Sequence, residues 1–247
     1  MAFLPAMTDG HYFSHETAAA LLHMRLPERQ LGGSLHVTAV QPARPPRIRG
    51  VIGHKRAKGP RTLTLTGGAR VSDPIETWCD LGASFTVDEL IVVGDGIVRR
   101  QHPLGTIEMM REAVSGRAGA RGTRNLREAI EQVRANTDSP RETMLRLILT
   151  RAGFPEPGLN LPIFNRYGAR IAHGDLTWER YRTILEYDGA HHRLDERQYN
   201  IDIARLVELM EEGWRVIRVN KSLMAMRAVL LGKVDTALRA GGWRGGR

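Results

Sequence analysis

In the stretch GDLTWERYRTILEYDGAHHR, residues 174–193, three acids, Asp175, Glu186 and Asp188, sit where buried sheet is expected, and two histidines, His191 and His192, follow. The residues around them read as two short strands joined by a tight turn, where Val or Ile would be ordinary and carboxylates are not. Side chains alternate across a strand, so Glu186 and Asp188 share a face. With Glu179-Arg180 as a two-residue turn, Trp178 faces Tyr181 and Asp175 faces Ile184. That register gathers Asp175, Ile184, Glu186 and Asp188 on one side of the hairpin, and Leu176, Trp178, Tyr181, Thr183, Leu185 and Tyr187 on the other. A three-residue loop would reverse the relation of Asp175 to Glu186. Carboxylates held together repel when ionised, so their clustering suggests a cation among them. All-oxygen donors suit hard divalent ions, Mg²⁺ above all, with Mn²⁺ as a substitute. One such ion activates water, and two steady an in-line phosphoryl displacement. The plainer alternative is a solvated face whose acids pair with Arg166, Arg170 and Arg182.

The elements that must position these acids follow from the surrounding pattern. Ser139-Pro140-Arg141-Glu142 is a helix start, with a cap, proline at the first position and an acid at the third. The helix runs to Gly153. GLNLPIF and ARIAHGDLTW are strand candidates, and YRTILEYDG is a third. DERQYNIDIARLVELMEEG is an amphipathic helix stopped by Gly213, WRVIRV is a fourth strand, and SLMAMRAVLLGKVDTALRA a final helix. Trp214 and the VIRV run belong to the core. The order is helix, three strands, helix, strand, helix, and the tail GGWRGGR is loose.

Residues 139–222 resemble a domain-of-unknown-function group related to very-short-patch-repair endonucleases, within the PD-(D/E)xK, restriction-endonuclease-like superfamily. The matching pieces are SPRET opening a helix, HGDLTW, ILEYDGAHHR and DIARLVELMEEGWRVIRV, the last with Asp202, Arg205, Leu209, Gly213-Trp214 and Arg218 at the family's spacing. The resemblance implies an α/β, restriction-endonuclease-like domain over 138–247. It implies that Asp175 is the motif aspartate, although Gly174 stands where the proline would be. It makes Glu186 the acid of (D/E)xK and Glu142 a further metal-site acid; Glu142, Asp175 and Glu186 would then be the metal ligands. Asp188 holds the lysine position, which leaves the general base open. His191 or His192 would assist, and Arg197, Gln198 and Arg205 would meet phosphate. Capping alone would also account for Glu142, and Asp202 with Arg205 would serve equally as an ion pair.

The first half, 1–137, reads as a smaller α+β module. A helix is expected over 14–24, strands over 34–40, 47–56 and 62–66, and helices near 74–82, 87–99, 104–115 and 124–135. SGRAGARGTR, 115–124, is a basic, glycine-rich break suited to a linker or to an arm on a phosphate backbone. More loosely, this half resembles antitoxin-like regions that precede such domains, without a full helix-turn-helix. RPPRIRGVIGHKRAKGPR, 44–61, contains no acid, and Lys55 and Arg56 are its candidate nucleic-acid contacts.

The chain has 247 residues, with 36 Lys plus Arg against 27 Asp plus Glu, a formal charge of +9. That balance favours phosphate-bearing partners. One cysteine excludes an internal disulfide and fits a reducing cytoplasm. No long apolar run or signal-peptide pattern occurs. The sequence thus predicts a cytoplasmic, two-part protein that is a Mg²⁺-dependent DNA endonuclease, catalysed through Asp175, Glu186, Asp188 and His192, with the first module binding DNA or a protein partner. The alternative is a non-catalytic DNA-binding antitoxin or regulator on a nuclease-like scaffold.

Overall fold

The computed structural model describes residues 7–27, 33–188 and 196–245. The chain divides into two compact units, residues 1–135 and 136–247. The first is the longer of the two, the reverse of the smaller module expected. Both mix helix and strand. Among the described residues no helix is long and apolar enough to cross a membrane.

Unit 1 opens with β1 (His11–Phe13), α1 (His15–Leu21), β2 (Leu35–Val40), β3 (Val51–Arg56), β4 (Thr62–Thr64) and β5 (Arg70–Ser72). They form a mixed sheet in the order β3-β2-β1-β5-β4, in which β2 and β3 run parallel. Four helices follow: α2 (Pro74–Leu81), α3 (Val87–Ile97), α4 (Ile107–Ser115) and α5 (Thr123–Ile130). Their starts are written locally. The Asp73 carboxylate accepts the amide of Glu76 at 2.8 Å, and Thr86 with Glu89 forms a reciprocal capping box. The glycine-rich stretch 115–124 is a largely exposed connection between α4 and α5 that is anchored through Arg117, Gly122 and Thr123. Arg117 turns inward to Glu76 and to Asp80 at 3.2 Å. Gly122 sits at φ +85 so close to the Gly82 carbonyl group that a Cβ would lie 2.3 Å from its carbon.

Unit 2 runs α6 (Pro140–Arg151), β6 (Gly158–Phe164), β7 (Arg170–Trp178), β8 (Thr183–Tyr187), α7 (Glu196–Glu211), β9 (Arg215–Val219), α8 (Lys221–Ala225) and α9 (Arg227–Ala240). The single final helix expected is split in two near Met226. The sheet order is β6-β7-β8-β9. β6, β7 and β8 pair antiparallel, while β8 and β9 are parallel, joined across α7. Helices cover both faces. Leu145 and Leu149 of α6 and Leu230, Val234 and Leu238 of α9 pack with Leu176, Trp178 and Leu185. On the opposite face Leu209 of α7 and Trp214 pack with Ile163, Ala172 and Ile184. Trp214 is therefore core, as expected.

Candidate functional site

Register decides how the acids of unit 2 meet. The β7–β8 ladder pairs Leu176 with Leu185, Thr177 with Ile184 and Trp178 with Thr183. The connection is thus Glu179–Arg182, a 3-10 turn closed by Arg182 at φ +47. Trp178 does not face Tyr181, and the expected register is corrected by two positions. Glu-Arg lacks the left-handed preference that a two-residue turn demands at its centre, and the longer connection places that conformation on Arg182. A shift of two preserves which face each side chain takes. The ladder ends at the pair of Leu176 with Leu185; beyond it Asp175 is tied to β8 through the Tyr187 amide and lies near enough to Glu186 to feel its charge. Leu176, Trp178 and Leu185 lie on the apolar side as expected. The acid-bearing side is not an open solvated surface, because α7 covers it around Ile184.

Gly174 precedes Asp175 for a steric reason. A Cβ there would stand 2.3 Å from Thr177 Oγ1 and 3.0 Å from Ile184 Cγ2. Proline, which carries that Cβ and lacks the amide, has no room at this point. The Asp175 carboxylate then accepts the backbone amide of Tyr187 at 2.8 Å, tying β7 to the end of β8.

Glu142 arrives from the first turn of α6 and is 4% exposed. Ser139 Oγ accepts the Glu142 amide at 3.2 Å, as a cap should. The Glu142 carboxylate does more than capping requires. Its Oε2 accepts the amide of Asp138 at 2.8 Å and the Asn160 amide group at 2.7 Å. Burial nevertheless pushes the Glu142 carboxyl above its usual range. Asn160 also donates to the Asn136 carbonyl at 2.7 Å and so holds Glu142 in place from β6. Sequence reasoning missed Asn160. Its signal was available, since it is the one polar side chain in the apolar strand GLNLPIF.

Asp175 feels its surroundings most. Burial first, then the charge of Glu142 and later that of Glu186, raise its carboxyl to about 7, against the lowering effect of the Tyr187 amide and Arg205. Glu186, 7% exposed, is clasped by Arg205 of α7 through two hydrogen bonds of 3.1 Å each. Asp188 turns instead to Arg218 at 3.1 Å. Among the described residues, Glu142, Asp175 and Glu186 do not bring one oxygen each within 4.8 Å of one another; that spacing is met only by three histidines of unit 1. The donor set of unit 2 fits a hard divalent cation in chemistry and in the raised Asp175 carboxyl. Its oxygens are spread wider than ligation needs, and Arg205 supplies the positive charge beside Glu186.

Arg205→Ala removes one partner of a mostly buried pair and leaves the Glu186 charge uncompensated. The expected cost in chelator is about 2 kcal/mol, below the 3–5 kcal/mol of a fully buried pair because Arg205 is partly exposed. Urea unfolding of the two proteins measures it; equal midpoints would mean that the clasp contributes nothing.

Other candidates are placed as follows. Arg56 lies on β3 but points to Glu76 at 3.1 Å and Asp80 at 3.7 Å, so its guanidinium serves an internal network of unit 1. Lys55 lines a cavity of about 630 Å³ beside it. Arg197 and Gln198 fall in α7, but their side chains, like His191 and His192, lie outside the described residues. The histidines His15, His36 and His54, which line the same cavity as Lys55, were not singled out as a group. Their separations of 21 and 18 residues match no ligand motif, and only the pairing of β2 with β3 brings two of them together.

No family model matches the chain, and no solved structure matches it significantly. Two curated relatives do, both from Mycobacterium tuberculosis, strains CDC 1551 and H37Rv, and both named only as uncharacterized proteins. Each is 27% identical to this chain over 107 residues, which is 43% of this chain and 39% of the relative. The match thus spans about two fifths of the relatives' length.

Proposed function

We propose that residues 136–247 form a restriction-endonuclease-like domain that hydrolyses DNA phosphodiester bonds with a divalent cation, Mg²⁺ or Mn²⁺. What supports this reading is the approach of three carboxylates, Glu142 from α6, Asp175 from β7 and Glu186 from β8, near enough that the charges of Glu142 and Glu186 both act on Asp175. The helix, three strands, helix, strand order and the helix-covered sheet agree with it. When bound, the cation would supply a nucleophilic water and charge neutralisation at the phosphate.

The chain's own residues have defined tasks in this scheme. Asn160 and the Asp138 amide hold Glu142, and the Tyr187 amide holds Asp175. Asp175 would hold the cation as a carboxylate, having lost the proton its buried position favours. Arg205 leaves Glu186 and its guanidinium turns to a DNA phosphate, joined by Arg197 and Gln198 from the same helix. Asp188, held by Arg218, orients water at the edge of the site, and His192 assists proton movement. The excess of basic residues draws the DNA in.

A second reading has its own observation. The clasp of Arg205 on Glu186 and an aspartate at the lysine position suit a scaffold that binds DNA without cutting it, as an antitoxin or regulator would. Supercoiled plasmid incubated with wild-type and Glu186→Ala protein, in Mg²⁺, Mn²⁺ or chelator, separates the two. The nuclease reading expects nicked product from the wild type with metal only. Duplex binding without product under any condition selects the scaffold.

A further inference from the structure

Three imidazoles meet in unit 1, away from the acids. His15 opens α1, His36 lies on β2 and His54 on β3. Thr38 is the register partner of His54, so His36, two residues earlier on the same strand, shares its face. His36 Nδ1 and His54 Nε2 stand 3.1 Å apart. The His15 ring stacks on His54 with centroids 3.8 Å apart. One nitrogen from each residue falls within 4.8 Å of the other two, and no other trio of His, Cys, Asp or Glu among the described residues does so. His15 holds φ +50, a backbone conformation that non-glycine residues rarely adopt and that concentrates at functional positions.

We propose that His15, His36 and His54 form a binding site for a first-row transition ion of the zinc type, with one coordination position open. Imidazole nitrogen suits Zn²⁺, Co²⁺, Ni²⁺ and Cu²⁺, unlike the all-oxygen donors of unit 2. Zn–N bonds of 2.0–2.1 Å at tetrahedral angles put ligand nitrogens about 3.4 Å apart. One pair already meets that spacing. The His15 ring must rotate out of its stack and close a gap of at most about 1.4 Å, a side-chain movement.

Two of the three rings have a polar group near the other nitrogen, a hydroxyl at hydrogen-bond distance for His15 and a carboxylate at 3.9 Å for His36. Ser14 Oγ lies 2.9 Å from His15 Nδ1, leaving Nε2 for the ion. Glu16 Oε2 lies 3.9 Å from His36 Nε2, leaving Nδ1, which is the nitrogen already facing His54. A carboxylate or hydroxyl behind a ligating imidazole is the usual orienting arrangement, and His15 and His36 have one. The open position borders the cavity of about 630 Å³, which Lys55, Arg121 and the Arg56–Asp80–Arg117 network also line, so the fourth ligand is water.

The test is a Co²⁺ titration of the chelator-stripped full chain, followed by visible absorption. The expected result is one equivalent of ion giving the intense bands of four- or five-coordinate cobalt on nitrogen, discharged by Zn²⁺. Oxygen-only sites such as the acids of unit 2 give the weak octahedral spectrum instead. His54→Gln, which keeps a hydrogen-bonding side chain, and His36→Ala should each weaken binding by roughly a hundredfold or more, beyond the 10–100-fold that loss of an outer partner brings. A His191→Ala/His192→Ala chain should keep the bands in full. A weak octahedral spectrum from the wild type, or intense bands surviving in a folded His54→Gln chain, overturns the site. The wild-type titration decides the matter even where a variant does not fold.

Discussion

Asp175→Asn stabilises the cation-free protein at pH 8 by about 3 kcal/mol and removes a fall in stability that the wild type shows between about pH 4 and pH 7. The carboxyl has an ordinary value of 3.8 and stands at about 7 in the folded chain. Between those values the folded form keeps a proton that the unfolded form has released. Stability therefore declines as pH rises, by about 1.4 kcal/mol per unit and roughly 4 kcal/mol in all. The contribution is complete below about pH 4 and gone above about pH 7. Asparagine is neutral throughout and offers Oδ1 to the Tyr187 amide that Asp175 now accepts. The gain falls short of the full amount because the new amide nitrogen needs a partner of its own. Urea unfolding of both proteins at pH 5 and pH 8, in chelator, measures the effect. Parallel pH profiles would show that Asp175 carries an ordinary carboxyl.

On the proposed nuclease function, Asp175→Ala is expected to abolish metal-dependent plasmid nicking, with a rate loss on the order of 10³-fold, and to leave the fold in place. Loss of a shared ligand forfeits several kcal/mol of transition-state stabilisation, at 1.36 kcal/mol per tenfold. The substitution frees only the Tyr187 amide, a cost of about 1 kcal/mol that does not unfold the domain. Gel analysis of nicked product and circular dichroism read the two halves of this prediction. Cutting at the wild-type rate would remove Asp175 from the chemistry.

Local patterns carried the helices well. The caps at Asp73, Thr86, Thr106 and Ser139 mark starts at or near those expected, because capping is decided within four residues. β1 and β5 escaped because three residues cannot display an alternation. The hairpin register escaped because Arg182, with no glycine to announce it, takes the left-handed conformation that lengthens the loop. Asp175 and Glu186 were grouped from residue type and spacing, whereas Glu142 joined them only through the family resemblance. Their partners were not legible. Arg205 lies nineteen residues from Glu186, and only the packing of α7 on the sheet reveals the clasp. Arg56 was read as a nucleic-acid contact and Arg117 lay in a stretch read as a linker or arm; both face the acids of α2, pairings that lie far apart in sequence. The histidine trio was hidden for the same reason, since parallel strand pairing is a long-range event that composition does not encode.

The most direct test is the titration of the Asp175 carboxyl carbon by ¹³C NMR, with and without Mg²⁺. A midpoint near 7 in chelator, moving down by one to three units in saturating Mg²⁺, is the predicted result. A midpoint near 4 in chelator, or one that Mg²⁺ does not move, contradicts the idea that Glu142, Asp175 and Glu186 share a cation.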